Sequence, residues 1–176
     1  MSNDNCTSNN DSGSEQKIQR IAALRAKARV WANEFHRTRG EEWANAISHL
    51  VGTVFGIVAL TLMCVFSALY GNAWHITSCA IYGATIILLY KSSMMYHLVK
   101  SPRAKRIWQI FDHVSIYLLI AGTYTPYALV TLHGSTGWWV FGAVWGLALL
   151  GIFIEVVIPR WATYASLPIY LLMGWM

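Results

Sequence analysis

The stretch SSMMYHLVKSPRAKRIWQIFDHVS, running from Ser92 to Ser115, decides the fold. It joins two apolar runs through a short loop carrying Lys100, Arg103, Lys105 and Arg106, with His97 closing the first run and Asp112 opening the second. Outward from this loop, no Asp, Glu, Lys or Arg occurs between Glu42 and Lys91, nor between Asp112 and Glu155. A helix crosses a bilayer with about 20 apolar residues, so each uncharged stretch has room for two crossings. The first breaks at YGNAWH (Tyr70 to His75) and the second at LHGSTGWW (Leu132 to Trp139), where Gly, Asn and Ser release a helix and Trp suits the membrane boundary. We read four spans, at 43–70, 74–98, 108–131 and 138–158, and the start of a fifth at 163–176.

Composition agrees. Hydrophobic residues make up 56% of the 176 and charged ones only 12%, against about 25% charged in a soluble domain. The fold class is therefore all-α, a polytopic bundle of transmembrane helices. Positive charge sets its orientation. Lys17, Arg20, Arg25, Lys27, Arg29, Arg37 and Arg39 precede the first span, the 99–107 loop holds four more cations, and Arg160 follows the fourth span. The turns at 71–73 and 132–137 hold none. Positive loops stay in the cytoplasm, which places the N-terminus inside a cell or plasma membrane. The net charge of +5 then reports topology and contact with anionic lipid headgroups, and no nucleic-acid motif accompanies it.

Residues 1–16, MSNDNCTSNNDSGSEQ, are polar, low in complexity and expected to be disordered. They lack the apolar centre of a signal peptide, so the first span serves as the membrane signal. Over 17–40, Ile18, Ile21, Leu24, Ala28, Trp31 and Phe35 recur at helical spacing among basic residues. Two readings stand equally here: an amphipathic helix on the cytoplasmic leaflet, or a solvated basic helix leading into the membrane. Cys6, Cys64 and Cys79 have no ligand spacing.

The polar residues inside the spans share one depth. Glu42, Asn45 and His49 lie on one face of the first span, followed by Gly52 and Gly56. His49 is about 10 Å along the axis from Glu42. Ser93 and His97 share a face near the end of the second span, and Asp112 lies about 9 Å beyond Arg106 in the third. Antiparallel spans bring all of these to the cytoplasmic third of the bilayer, with His113 and Glu155 adding to the set. An ionised Asp facing lipid costs roughly 2.5–3.5 kcal/mol at mid-bilayer, so Asp112 is expected to face the bundle. Imidazole and carboxylate together suit zinc and a metal-bound water. Each residue also has a plainer reading, as a hydrogen-bonded or snorkelling side chain. Glu42 suits a first helical turn, Gly52 and Gly56 suit helix packing, and Trp138, Trp139 and Trp161 suit boundary anchoring. Pro126 is expected to kink the third span.

Four segments carry a resemblance: EEWANAISHLVG, SSMMYHL, FDHVSIYLLIAGTYTPYAL and LPIYLLMGW, in this order and spacing. Together they resemble the bacterial hemolysin III proteins of the progestin and adipoQ receptor superfamily, from about Glu41 to the last residue. The resemblance implies a seven-helix membrane fold with a cytoplasmic N-terminus. In the zinc-containing receptors it implies one metal-binding histidine on the second span, an aspartate on the third that holds the metal-bound water, and an HxxxH pair on the seventh. His97 matches the first role and Asp112 the second, with Ser93 beside them. Glu42, Asn45 and His49 match the hemolysin III pattern on the first span, and His49, His113 or Glu155 is the expected substitute where a metal ligand is missing. The sequence ends at Met176 without the HxxxH pair, so the reading expects 41–176 to be an incomplete domain, either a fragment or a defective product.

Three functions compete. The first is a zinc-dependent hydrolase of lipid amides or esters, similar to the ceramidase-like receptors, with Asp112 and Ser93 as catalytic groups. The second is a cytolytic or pore-forming protein, as the hemolysin name implies. The third is a non-catalytic lipid sensor whose polar cluster is structural.

Overall fold

The computed structural model describes residues 15–26 and 39–176. The chain divides into two compact units, Met1–Glu41 and Glu42–Met176. In the first, residues 15–26 form helix α1, exposed throughout, with Ile18, Ile21 and Leu24 on its surface. Residues 1–14 and 27–38, which hold most of the expected tail and the second half of the expected basic helix, lie outside the described residues.

The second unit is built from helices. These are α2 (Arg39–Tyr70), α3 (Ala73–Leu98), α4 (Pro102–Pro126), α5 (Ser135–Val157) and α6 (Pro159–Trp175). A π-helical segment, Tyr127–Leu132, continues α4. Among the described residues four helices are long and apolar enough to cross a membrane: Arg39–Tyr70, Ala73–Leu98, Pro102–Leu132 and Ser135–Val157. Their apolar residues face outward as well as inward. Val51, Val54, Phe55, Val58 and Leu62 of α2 are all exposed, the pattern of a helix whose surroundings are themselves apolar.

Local chemistry sets the boundaries. The break between α2 and α3 is fixed by Asn72, whose Oδ1 accepts from the N–H groups of Trp74 (3.0 Å) and His75 (3.3 Å). The His75 imidazole returns to the Asn72 N–H at 3.4 Å, completing a reciprocal cap. At the basic loop, Val99 leaves the helical conformation and Pro102 opens α4, where a missing N–H costs nothing. The outer half of α4 behaves otherwise. Pro126 does not end the helix: it removes one N–H from the hydrogen-bond ladder, and the chain runs on with π spacing to Leu132.

Packing centres on α4. Tyr117, Ala121, Val144, Ala148 and Met173, from α4, α5 and α6, form a fully buried cluster. Helix α2 meets α3 along its glycines. A Cβ on Gly52 would lie 2.5 Å from the Tyr90 ring, and one on Gly56 would lie 3.0 Å from Ile86. This close approach gives Gly52 and Gly56 the packing role that their spacing suggests. It also fixes which face of α2 turns toward α3, and that face carries Glu42 and His49.

Candidate functional site

At the basic end of the bundle, Glu42 in the first turn of α2 reaches two other helices. Its Oε2 lies 2.8 Å from Nδ1 of His97, in the last turn of α3, and its Oε1 accepts from Nζ of Lys105, in the first turn of α4, at 2.6 Å. The chain reversal at 99–101 makes this three-helix contact possible. Lys105 also sits over the Tyr96 ring, 5.2 Å from its centroid. One carboxylate with a cation and an imidazole on separate oxygens is a charge-assisted network, stronger than neutral hydrogen bonds.

Two turns further along α2, His49 stacks on His97, with ring centroids 5.7 Å apart and planes 6° from parallel. Its Nε2 lies 3.0 Å from Ser93 Oγ. Ser93 differs from several helical hydroxyls of the bundle. Ser78, Ser92, Thr125 and Ser166 all donate to a carbonyl one turn back, whereas the hydrogen bond of Ser93 goes to an imidazole of another helix. The neighbouring Ser92 meets Ser115 of α4 at 3.0 Å, a buried link between α3 and α4. Asp112, half-buried, is close enough to His49 to act on it electrostatically. Among the described residues neither its carboxylate nor the Asn45 amide makes a hydrogen bond.

Asp112 and His113 point about 100° apart on α4, and Asp112 is near enough to act electrostatically on Tyr170 of α6 as well as on His49. Nδ1 of His113 lies 2.7 Å from Oε1 of Glu155, and Ser166 of α6 lies 2.9 Å from Oε2 of the same carboxyl. The Tyr170 hydroxyl donates to the His113 carbonyl at 3.1 Å. Glu155 is 6% exposed. The structure thus brings Glu42, His49, Ser93 and His97 together with Asp112 nearby, places Asn45 on the same face of α2, and gives His113 and Glu155 a separate cluster. It pairs His97 with Glu42 rather than with Asp112.

Three members of these clusters carried no sequence signal of their own. Lys105 reads as one more topological charge, and Ser166 and Tyr170 read as ordinary residues of an apolar segment. Only the position of Lys105, one turn into a helix that returns beside His97, hints at its partner.

His97 is presented as a ligating histidine should be. One ring nitrogen is held by a carboxylate, which fixes the tautomer and leaves Nε2 for another partner. A catalytic zinc, however, takes three protein ligands. Among the described residues no group of three His, Cys, Asp or Glu side chains could hold a metal ion. The near-parallel rings of His49 and His97 do not aim their nitrogens at one centre, and Nε2 of His49 faces Ser93. The donors gathered among the described residues do not by themselves make a zinc site.

A helical membrane bundle with a polar cluster enclosed at one end of its spans is the class of protein that these features define. Residues 37–176 match the family described as Haemolysin-III related, and the chain belongs to that family. It is 43% identical over 136 residues to the Hemolysin-3 homolog of Bacillus subtilis (strain 168), covering 77% of this chain and 64% of that protein. It is 39% identical over 136 residues to Hemolysin-3 of Bacillus cereus, covering 77% of this chain and 62% of that protein. The chain therefore spans less than two thirds of the length of these relatives. No solved structure matches it.

Proposed function

We propose that this protein works on membrane lipids, as a hydrolase of lipid ester or amide bonds whose site is the cluster of Glu42, His49, Ser93, His97 and Asp112. The observation that carries the reading is the gathering of two imidazoles, a serine and two carboxylates among helices otherwise apolar. Ionisable groups inside a membrane are costly to place and by default mark function. Within the cluster the roles divide. Glu42 and Lys105 hold His97 in one orientation, and Asp112, free of hydrogen bonds, is placed to take a proton from an attacking water. The open apolar face of α2 admits acyl chains from the side.

Zinc belongs to this proposal through the resemblance to the progestin and adipoQ receptors. It would take Nε2 of His97 and polarise the scissile carbonyl, and it needs donors besides those gathered here. By the positive-inside rule the basic end, with the N-terminus, faces the cytoplasm of a cell membrane, and the basic N-terminal segment contacts anionic headgroups.

The test uses the protein in liposomes, with lipid products read by mass spectrometry and bound zinc by elemental analysis. Asp112→Asn and His97→Ala should each lower cleavage by about 100-fold or more while the helical content stays unchanged. Cleavage that survives both substitutions removes the reading. The name hemolysin, carried by the relatives, favours a second one, a cytolytic protein. Dye release from lipid vesicles that is independent of zinc and of His97 would support it. Loss of stability in both variants, with no turnover in the wild type, would indicate a non-catalytic lipid sensor.

A further inference from the structure

Helices α2 and α3 pack antiparallel, and their closest contacts give the register. Gly52 lies on Tyr90 and Gly56 on Ile86. Further along, Gly83 of α3 lies on Leu60, where a Cβ on the glycine would come within 3.1 Å of the Leu60 Cα. Each turn forward on α2 is thus one turn back on α3, and the helices stay in step from contact to contact. The next turn pairs Cys64 with Cys79.

A further contact confirms that step. Ser67, on the same stripe of α2 as Leu60 and Cys64, donates its hydroxyl to Sγ of Cys79 at 3.3 Å. Cys79 therefore reaches across to α2 at this level, onto the stripe that carries the other thiol. Both thiols are free and half-buried. A disulfide needs Cα atoms about 4.4–6.8 Å apart, and helices whose backbones touch one turn away supply that approach. In sequence the two cysteines have no motif spacing. The seating of α2 on α3 is what brings them to one place.

The surroundings decide what the pair can do. Each cysteine lies about 9 Å along its helix from the turn between Tyr70 and Ala73, inside the apolar part of the span. Two thiolates would be costly to hold there, whereas a disulfide is neutral and needs no hydrogen-bond donors. The Ser67 hydroxyl supports the negative charge that builds on Cys79 Sγ as its proton leaves. Water-soluble oxidants are dilute at this depth, so the oxidant has to dissolve in the membrane.

We propose that Cys64 and Cys79 are a thiol pair that a membrane quinone oxidises to a disulfide, fastening α2 to α3. Two S–H bonds break and one S–S bond forms, while both protons and both electrons pass to the quinone, which leaves as the quinol. The link bears on the polar cluster through the helices it joins, because α2 carries Glu42 and His49 and α3 carries Ser93 and His97. It does not rest on the lipid-hydrolase reading.

The experiment uses the chain in liposomes, fully reduced and then exposed to tetramethylbenzoquinone, whose methyl groups block addition of thiols to the ring. Remaining thiols are alkylated after denaturation, and each cysteine is read by peptide mass spectrometry. Alkylation of Cys64 and Cys79 should fall together by about ten-fold, with a peptide pair linked through these two residues, and Cys6 should stay alkylated. In Cys79→Ala, Cys64 should keep its alkylation, and in Cys64→Ala so should Cys79. Undiminished alkylation of both thiols in the wild type would overturn the pair, as would a link to Cys6 or between two chains. Loss of Cys64 alkylation in Cys79→Ala would do the same. The wild-type measurement needs no variant, so a substitution that fails to fold does not obscure the answer.

Discussion

On one side of α4, Glu42 is held by Lys105 and His97 with 18% of its side chain exposed; on the other, Glu155 is held by His113 and Ser166 with 7% exposed. The first carboxylate has a Lys partner and sits beside the basic loop, where a charge keeps contact with the membrane boundary. The second, itself buried, has a part-exposed imidazole and a hydroxyl as partners, and it ties α4, α5 and α6 together. Buried ionic groups weigh most on stability when one partner is removed, because the other stays behind uncompensated. The difference assigns the two clusters different work. The Glu155 cluster is a clamp, whereas the Glu42 cluster holds His97 with one ring nitrogen uncommitted and keeps Asp112 within reach.

The contrast makes the largest prediction one of stability. Glu42→Ala should cost about 3–5 kcal/mol, because Lys105 and His97 stay behind buried without its compensating charge, read by reversible unfolding in detergent micelles, and Glu155→Ala about 1.5–3 kcal/mol, because the imidazole that it leaves is 43% exposed. A larger loss for Glu155→Ala would break this distinction between the two clusters. A smaller effect sharpens the α2 side of the comparison. Gly52→Ala should lower stability by about 1–3 kcal/mol because the new methyl meets the Tyr90 ring. Gly142→Ala on α5, where nothing lies within 4 Å of a Cβ, should stay within about 0.5 kcal/mol of the wild type. Equal losses at the two glycines would mean that α2 is not seated on α3 as described.

Much of the fold was legible because the bilayer imposes simple rules on a sequence. The uncharged stretches set the spans, and the helices Arg39–Tyr70, Ala73–Leu98 and Ser135–Val157 begin and end within a few residues of those expected. The third span starts earlier, at Pro102, because the charged residues before Asp112 continue the helix beyond its apolar part. Pro126 announced a disturbance but not its form. Whether a helix kinks or shifts to π spacing depends on which neighbours take up the freed backbone groups.

The site was legible in depth and not in pairing. Spacing alone puts Glu42, His49, Ser93, His97 and Asp112 at one level. Partners depend on how each helix is rotated, and in α2 that is decided by glycines packed on Tyr90 and Ile86. Hence Glu42, which reads equally as a first-turn charge, proves to be the hub, and Lys105, which reads as topology, proves to be its partner. The split between Asp112 and His113 has the same origin. Adjacent residues on a helix point about 100° apart, so a set that is one group by depth becomes two by direction.

The candidate site stands on Glu42 holding His97 inside the bundle. A double-mutant cycle with Glu42→Gln and His97→Asn, singly and together, measures that contact through unfolding free energies in the same micelles. The structure predicts a coupling of about 1–3 kcal/mol between the two positions. Losses that simply add, to within about 0.3–0.5 kcal/mol, would show that the two side chains do not meet, and the site as drawn would not exist.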